Sequence, residues 1–160
     1  MRLHLDDEAA TAELAARLAH CAAPGMVVFL HGDLGAGKST MARAWLRALG
    51  VTGTVRSPTY TLVERYPLAA GEALHLDLYR IGDAGELEVL GLDQADVALW
   101  LVEWPERGAA GLPPPDLHLR LAMAGTGRDL DVEAASARGL ACLERLGEVS
   151  GLRPTPEPDP

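Results

Sequence analysis

The sequence predicts an α/β fold, a three-layer sandwich whose mixed sheet combines a parallel core with antiparallel hairpins. Residues 26–30 and 98–102 are continuously apolar, and Glu103 ends the second run. Such runs are typical of strands that are buried on both faces of a parallel sheet. Strand patterns alternate with helical patterns early in the chain and pair with one another later. We place the single domain at residues 1–152.

Helix signals define the first third of the chain. Asp6 or Asp7 can cap a helix with leucine and alanine at helical spacing, which Pro24 and Gly25 end. Gly50 ends a second helix. The predicted elements here are an edge strand at 2–5, a helix to about residue 22, a strand at 26–30, a loop at 31–37 and a helix at 38–49.

Turn residues divide the remaining chain into hairpins and short helices. The predicted elements are a loop at 51–60, strands at 61–66 and 73–79 joined around Ala70 and Gly71, a helix at 83–90, a strand at 98–103, a linker at 108–115, strands at 116–122 and 128–133, and a helix at 134–146. Residues 153–160 contain four prolines and are predicted to be a disordered tail.

Charge and composition limit the possible partners. The net charge is −9, with only 14 basic residues, and these are scattered, so direct binding of DNA or RNA is not expected. The acidity favours a basic protein partner. No apolar run approaches a membrane span, and a cytoplasmic protein is expected. Cys21 and Cys142 are in no metal-ligand spacing and are interpreted as buried apolar residues.

A phosphate-binding loop follows the first apolar strand. Its residues, which fit G-x-x-x-x-G-K-[ST] at every position, are Gly32, Asp33, Leu34, Gly35, Ala36, Gly37, Lys38 and Ser39, and Thr40 follows them. Glycines allow backbone N–H groups to converge on phosphate oxygens, and the helix N-terminus adds its positive end. Lys38 is suited to the β- and γ-phosphates and the Ser39 hydroxyl to Mg²⁺.

Lys38 is the only lysine in the chain, since the other 13 of the 14 basic residues are arginines. Arginine would serve equally well as a solubilising charge, so the single lysine favours a need for a compact point charge. The alternative is a glycine-rich turn that holds no ligand.

Two acidic residues could complete a metal site. Asp77 directly follows residues 73–76 of one predicted strand, and Glu103 ends another. The sequence has no apolar strand that ends in an adjacent Asp-Glu pair, so the two acids can divide the roles of holding metal and acting near the γ-phosphate. Either could instead be a solvated strand end.

Four further residues lie near these motifs, and for two of them, Thr59 and Trp104, two interpretations stay open. Thr59 can close over the metal and γ-phosphate, as in switch-type NTPases, or can belong to an ordinary turn after Pro58. Trp104 can pack on a nucleotide or fill a gap. His31 is interpreted as a strand-end residue, and His75 as facing a neighbouring strand.

The nucleotide is predicted to be ATP. Guanine-specific switch proteins usually read their base with an Asn-Lys-x-Asp element. This chain has no asparagine and no second lysine, so such an element is absent from it.

Four ordered motifs resemble the TsaE (YjeE) family, the ATPase component of bacterial tRNA threonylcarbamoyladenosine biosynthesis. They are residues 32–40, 55–60, 75–80 and 103–106, with a further similar segment at 86–92. The resemblance extends over about residues 5–135. Ser39 stands where threonine is commoner in the family, which keeps the hydroxyl group.

The resemblance implies roles for individual residues and for partners. Lys38, Ser39 and Thr40 would bind phosphate and Mg²⁺, Thr59 would belong to a mobile switch, Asp77 would be the metal carboxylate, and Glu103 would lie in the active site. It implies work with TsaD and TsaB, with tRNA reached only through that complex. ATP hydrolysis would then allow repeated turnover.

Two other functions use the same loop. A small-molecule kinase usually begins with the phosphate-loop strand and has an arginine-rich lid, whereas about 25 residues precede that strand here and no dense arginine segment is present. A nucleotide-dependent adaptor would bind ATP without hydrolysing it. Arg56, Arg80 or a partner's arginine could stabilise the transition state.

Overall fold

A computed structural model describes residues 1–83, 85–92 and 96–148 and places the strands of these residues in one seven-stranded sheet. The strands are β1 (Arg2–Leu5), β2 (Met26–His31), β3 (Val63–Leu68), β4 (Gly71–Asp77), β5 (Val97–Glu103), β6 (Leu117–Ala124) and β7 (Gly127–Ala134). The helices are α1 (Glu8–Cys21), α2 (Lys38–Ala48), α3 (Gly85–Val89) and α4 (Ala137–Glu148), with short 3₁₀ helices at Pro105–Arg107 and Ala109–Gly111.

The sheet has a parallel centre and antiparallel sides. Its strand order is β1-β7-β6-β2-β5-β4-β3. Strands β6, β2, β5 and β4 are parallel to their neighbours in this group. Strand β3 pairs antiparallel with β4, and β7 pairs antiparallel with both β6 and β1. The predicted mixed sheet is confirmed, with β1 as an edge strand.

Alternation along β2 divides its apolar side chains between two cores. Met26, Val28 and Leu30 belong to the larger core, to which α1, α2 and α4 contribute. Val27 and Phe29 belong to a smaller core on the other face, with side chains of α3 and its flanking segments. Helices therefore cover both faces, which explains why this strand is apolar from residue 26 to residue 30 and confirms the three-layer prediction.

The hairpin of β3 and β4 differs from its predicted bounds at both ends. Strand β3 begins at Val63 because the Leu62 N–H donates to the Pro58 carbonyl at 2.9 Å, which continues a turn through the predicted start at residue 61. Strand β4 ends at Asp77, whose Oδ1 accepts the Tyr79 N–H at 3.0 Å. A side-chain turn of this type stops the strand before the predicted end at residue 79.

The last helix begins later than predicted. Residue 134 is the final residue of β7, and α4 begins at Ala137. The Ser136 hydroxyl accepts the Gly139 N–H at 3.0 Å and caps the helix there. The proline-rich tail predicted at 153–160 lies outside the described residues.

Two composition-based expectations concern the described residues directly. Cys21 and Cys142 are buried and unpaired, as expected of small apolar side chains. Among the helices of residues 1–83, 85–92 and 96–148, none is long and apolar enough to cross a membrane.

Candidate functional site

The carboxyl ends of three parallel strands bring the predicted site residues to one edge of the sheet. Leu30 of β2 pairs with Glu103 of β5, which in turn pairs with Asp77 of β4. Strand β2 leads directly into the glycine-rich loop at 32–37. The loop and both carboxylates therefore meet where α/β sheets commonly bind ligands.

The loop adopts a backbone that requires glycine. Gly32, Gly35 and Gly37 have φ values of 146°, 80° and 106°. A Cβ atom at Gly32 would also lie 2.5 Å from the Leu121 carbonyl oxygen, so no side chain fits there. Gly37 precedes α2 and has no side chain to cap it, which leaves the first N–H groups of that helix available to an anion.

Lys38 is held by the loop from which it extends. Its Nζ donates to the carbonyl oxygens of Gly32 and Asp33 at 2.6 and 2.8 Å and lies 4.6 Å from the ring centroid of Trp104. Burial lowers the pKa of Lys38, while the charges of Glu103 and Asp77 act in the opposite direction. The ammonium group thus lies at the floor of the loop, next to both carboxylates.

Glu103 connects the loop helix to the sheet. The Ser39 hydroxyl lies 2.9 and 3.1 Å from its two carboxylate oxygens, and His75 Nε2 lies 2.6 Å from Oε2. Glu103 is only 2% exposed. The prediction that His75 faces a neighbouring strand is confirmed, but its contact with Glu103 was not foreseen. Alternation along β4, which places His75 on the same face as Asp77, could have indicated it.

Asp77 lies one strand farther from the loop than Glu103. It is 7% exposed, and the hydrogen bond described above from the Tyr79 N–H fixes Oδ1. Burial raises the pKa of Asp77, the Tyr79 hydrogen bond opposes this rise, and the nearby Glu103 charge adds to it. The two carboxylates therefore differ: Glu103 contacts the Ser39 hydroxyl, and Asp77 is held by the backbone.

The segment around Thr59 forms one wall of the site. The Thr59 hydroxyl lies 2.8 Å from that of Ser57, and the neighbouring Tyr60 ring is 4.7 Å from the guanidinium carbon of Arg80. Thr59 and Arg80 line the cleft beside the loop. Arg56 is exposed and is not among the lining residues. Of the two arginines that the sequence offered, Arg80 therefore has the better access to a bound ligand.

Trp104 has an unusual backbone conformation next to the cleft. Its φ of 55° lies in the left-handed region, and Pro105 follows it. The Trp104 ring, which also contacts Lys38, has its centroid 4.9 Å from that of the Tyr79 ring. It lies 5.7 Å from the guanidinium carbon of Arg107. The aromatic ring is thus fixed over the phosphate-loop lysine, in a conformation that local propensity disfavours.

Most of the predicted site residues line one cleft. Its volume is about 410 Å³. The lining residues are Leu34, Gly35, Gly37, Lys38, Ser39, Thr40, Thr59, Asp77, Tyr79, Arg80, Glu103, Trp104 and Arg128. Among the predicted residues, Gly32, Asp33 and Ala36 are not part of this lining. The first two supply carbonyls to Lys38, and Ala36 is buried.

Arg128 is a site residue that the sequence did not indicate. It is the second residue of β7, which lies on the other side of β2 from the strand that carries Asp77. Its guanidinium donates to the carbonyl oxygens of Ala36 and Gly35 at 3.0 and 3.3 Å. It also borders a second cavity of about 180 Å³ that Gly37 and Thr40 line from the loop side. No local motif marks this arginine, because only the β6–β7 pairing brings it to the loop.

His31 lies outside the cleft. It ends β2, and its Nε2 is 2.8 Å from Nδ1 of His118 on β6. Burial lowers the pKa of both histidines. Its position agrees with the prediction of a strand-end residue.

The donor set fits Mg²⁺ better than a transition metal. No group of three or more His, Cys, Asp or Glu side chains suited to a metal occurs within the described ranges. The oxygens of Ser39, Glu103 and Asp77 face the cleft instead. Mg²⁺ prefers oxygen ligands and is commonly held by one or two carboxylates together with substrate phosphates and water.

The sheet, the glycine-rich loop at its carboxyl edge and the helix that follows define a P-loop NTPase fold. The crystal structure of YdiB from Bacillus subtilis has the same fold, with a TM-score of 0.79 and 29% sequence identity over 93% of this chain and 95% of that one. The sequence profile described as "Threonylcarbamoyl adenosine biosynthesis protein TsaE" matches residues 5–130. The chain belongs to the TsaE family.

Proteins from several bacteria support this membership. The Haemophilus influenzae protein named tRNA threonylcarbamoyladenosine biosynthesis protein TsaE is 40% identical over 116 residues, which are 71% of this chain and 73% of that protein. The Streptomyces coelicolor protein of the same name is 38% identical over 144 residues, or 88% and 97% of the two chains. The match to the second relative therefore extends over nearly the whole of that protein.

Proposed function

We propose that this chain is a Mg²⁺-dependent ATPase that acts in threonylcarbamoyladenosine modification of tRNA. Membership in the TsaE family supports the pathway. The observation that carries the ATPase proposal is the contact of Ser39 with Glu103 directly under the loop that holds Lys38. A hydroxyl and a carboxylate so arranged beside a phosphate-binding loop are the parts that position a metal–nucleotide complex.

Phosphate binding follows from the loop geometry. The left-handed glycines allow backbone N–H groups to converge on phosphate oxygens, and Lys38 adds a positive charge in the cleft. Anionic oxygens would replace the carbonyls of Gly32 and Asp33 as partners of Lys38, because a charged acceptor bonds the ammonium more strongly. The nucleoside would extend past Thr40 into the second cavity, since Thr40 lines both cavities.

Mg²⁺, when bound, would supply positive charge that stabilises the charge developing on the transferred phosphoryl group. Ser39 and Glu103 would hold it, and Asp77 and Thr59 line the same cleft. The implied role of Asp77 as the metal carboxylate stays a prediction. The direct contact with Ser39 favours Glu103 as the nearer acid.

Catalysis by this chain would consist of positioning and charge stabilisation. Glu103 orients the Ser39 hydroxyl, and Lys38 and Arg80 supply positive charge from two sides of the cleft. Thr59 lies in a turn rather than in the sheet, so the cleft is bounded on that side by a loop. We therefore expect weak hydrolysis by the isolated chain and faster hydrolysis when a partner surface covers the cleft.

The proposed partners are TsaD and TsaB, with tRNA bound through them. Support comes from the family resemblance and from the net charge of −9, which disfavours contact of this chain with tRNA phosphates. No role with DNA or a membrane is proposed, and the cytoplasm remains the expected location.

The test is release of phosphate from ATP with and without TsaD and TsaB. We expect stimulation by the partners, and we expect Lys38→Ala and Asp77→Ala each to reduce the stimulated rate by about 100-fold or more. Stimulated hydrolysis that survives both substitutions would refute the assignment. Phosphate transfer to a metabolite would instead favour a small-molecule kinase, and tight ATP binding without ADP in a single turnover would favour an adaptor.

A further inference from the structure

His75 is a buried polar residue in the interior of strand β4. It has no exposed surface and lies on β4 two residues before Asp77, so both side chains are on the face that α2 covers. A strand interior of this kind normally carries an apolar residue, as Leu74 and Leu76 do on the other face. The position therefore calls for a specific hydrogen-bond partner.

That partner is Glu103. His75 Nε2 lies 2.6 Å from Glu103 Oε2, and His75 Nδ1 has no partner among the described residues. A buried N–H without an acceptor is unfavourable, so the ring proton belongs on Nε2, where it donates to the carboxylate. The direction of the hydrogen bond is thereby fixed.

The bond from His75 restricts the carboxylate of Glu103. The imidazole is rigid and enclosed by the sheet, whereas the glutamate side chain has three rotatable bonds. With Oε2 held by His75, both oxygens remain within 2.9 and 3.1 Å of the Ser39 hydroxyl. Without this donor, Glu103 could turn away from Ser39, and its charge would be left beside Asp77, its neighbour in register.

We propose that His75 is a positioning residue that holds the Glu103 carboxylate against Ser39 and thereby sets the affinity of the site for Mg²⁺ in the presence of nucleotide. The inference rests on the proposed function, because it assumes that Glu103 and Ser39 hold the metal. Partners that orient metal-binding side chains usually change metal affinity by about 10- to 100-fold when they are removed.

The experiment measures binding of the non-hydrolysable ATP analogue adenylyl imidodiphosphate by calorimetry, once in EDTA and once in excess Mg²⁺. The ratio of the affinity in Mg²⁺ to the affinity in EDTA is the gain in analogue binding that Mg²⁺ gives. We expect His75→Leu to reduce this gain by about 10-fold or more and to leave the affinity in EDTA unchanged. His75→Gln should keep most of the gain, because its amide nitrogen can reach the position of Nε2.

Two further variants separate positioning from stability. His75→Asn is polar but too short to reach Glu103, so the comparison of Asn with Gln decides the proposal if the leucine variant does not fold. Ser136→Ala loses a hydrogen bond to buried Asp116 at the opposite edge of the sheet, and it should lower the thermal midpoint without changing the gain from Mg²⁺.

Equal gains from Mg²⁺ in the wild type and in both His75→Leu and His75→Asn would overturn the positioning role while leaving the proposed ATPase intact. Absence of analogue binding by the wild type would overturn the proposed function and this inference with it. A gain that falls in the Leu and Asn variants and returns in the Gln variant would establish the role.

Discussion

Two carboxylates on neighbouring strands face the same cleft in different environments. Glu103 accepts hydrogen bonds from His75 and Ser39, while Asp77 has its backbone hydrogen bond from Tyr79 and is otherwise largely removed from water. A carboxyl group that is removed from water resists ionisation. The difference has a measurable effect on stability at Asp77.

Burial raises the pKa of Asp77, so the folded protein binds a proton there more tightly than the unfolded chain does. This group stabilises the fold most below its ordinary pKa of 3.8, and the contribution is lost as the pH rises through the raised value. We therefore expect Asp77→Asn, which keeps an oxygen for the Tyr79 N–H, to have a higher free energy of unfolding than the wild type at pH 7.

Urea unfolding at a series of pH values tests this prediction. The advantage of Asp77→Asn should narrow as the pH falls towards 3.8. Glu144→Gln, on the exposed face of α4, changes the net charge by the same amount and should have little effect. A variant less stable than the wild type at pH 7 would show that ionised Asp77 contributes favourably to the fold.

At the scale of elements, local signals account for most boundaries. Gly50 ends α2 with a φ of 92°, and the Asp7 side chain accepts the Ala10 N–H at 2.8 Å, as the capping pattern predicted. The predicted boundaries were wrong where a side-chain hydrogen bond to the backbone ended or delayed an element that the hydrophobic spacing would continue. Ser136 delays the start of α4, and Asp77 ends β4 early, and neither effect is visible in hydrophobic spacing.

The β6–β7 hairpin supports the phosphate loop through Arg128. This side chain donates to the carbonyls of Ala36 and Gly35 and so opposes any peptide flip that would turn the loop N–H groups away from the cleft. Arg128→Ala should weaken binding of the ATP analogue by about tenfold, since one lost charge-assisted hydrogen bond is worth about 1.5 kcal/mol.

Calorimetric titration of the analogue measures the effect of Arg128→Ala. The matched control is Arg120→Ala in the same hairpin, whose guanidinium pairs with the exposed Glu133 at 2.6 Å rather than with a loop carbonyl. The control should retain the wild-type affinity, because exposed pairs of this kind contribute about 1 kcal/mol or less to stability. Equal losses in both variants would assign the effect to the hairpin as a whole rather than to the loop contacts.

At the scale of the whole molecule, the parallel core was predictable and the strand order was not. The apolar runs of β2 and β5 indicate burial on both faces, and the sequence placed Asp77 and Glu103 in strands and Lys38 at the start of a helix. Which strands are neighbours depends on pairings between residues far apart in the chain, such as Val28 with Leu117. The contact of Arg128 with the loop depends on the same kind of long-range pairing, so the sequence did not predict it.

The charge distribution leads to a prediction about tRNA. The chain has 23 acidic and 14 basic residues, and Arg128 and Lys38 are already bound to loop carbonyls. Neutralising phosphates requires several cations on one surface, since each contact adds to the salt dependence of binding. We therefore expect this chain alone to bind tRNA no more tightly than a weak non-specific ligand does.

Fluorescence anisotropy of labelled tRNA measures this directly. With this chain alone, the anisotropy should stay flat up to about 10 µM protein at physiological salt, where even non-specific binders with Kd values of about 1–100 µM begin to respond. With TsaD and TsaB present, adding this chain should leave the salt dependence of tRNA binding unchanged, because it contributes no phosphate contacts. A saturable rise with this chain alone, weakening as salt increases, would instead place tRNA on its surface and remove the reason for assigning tRNA contact to the partners.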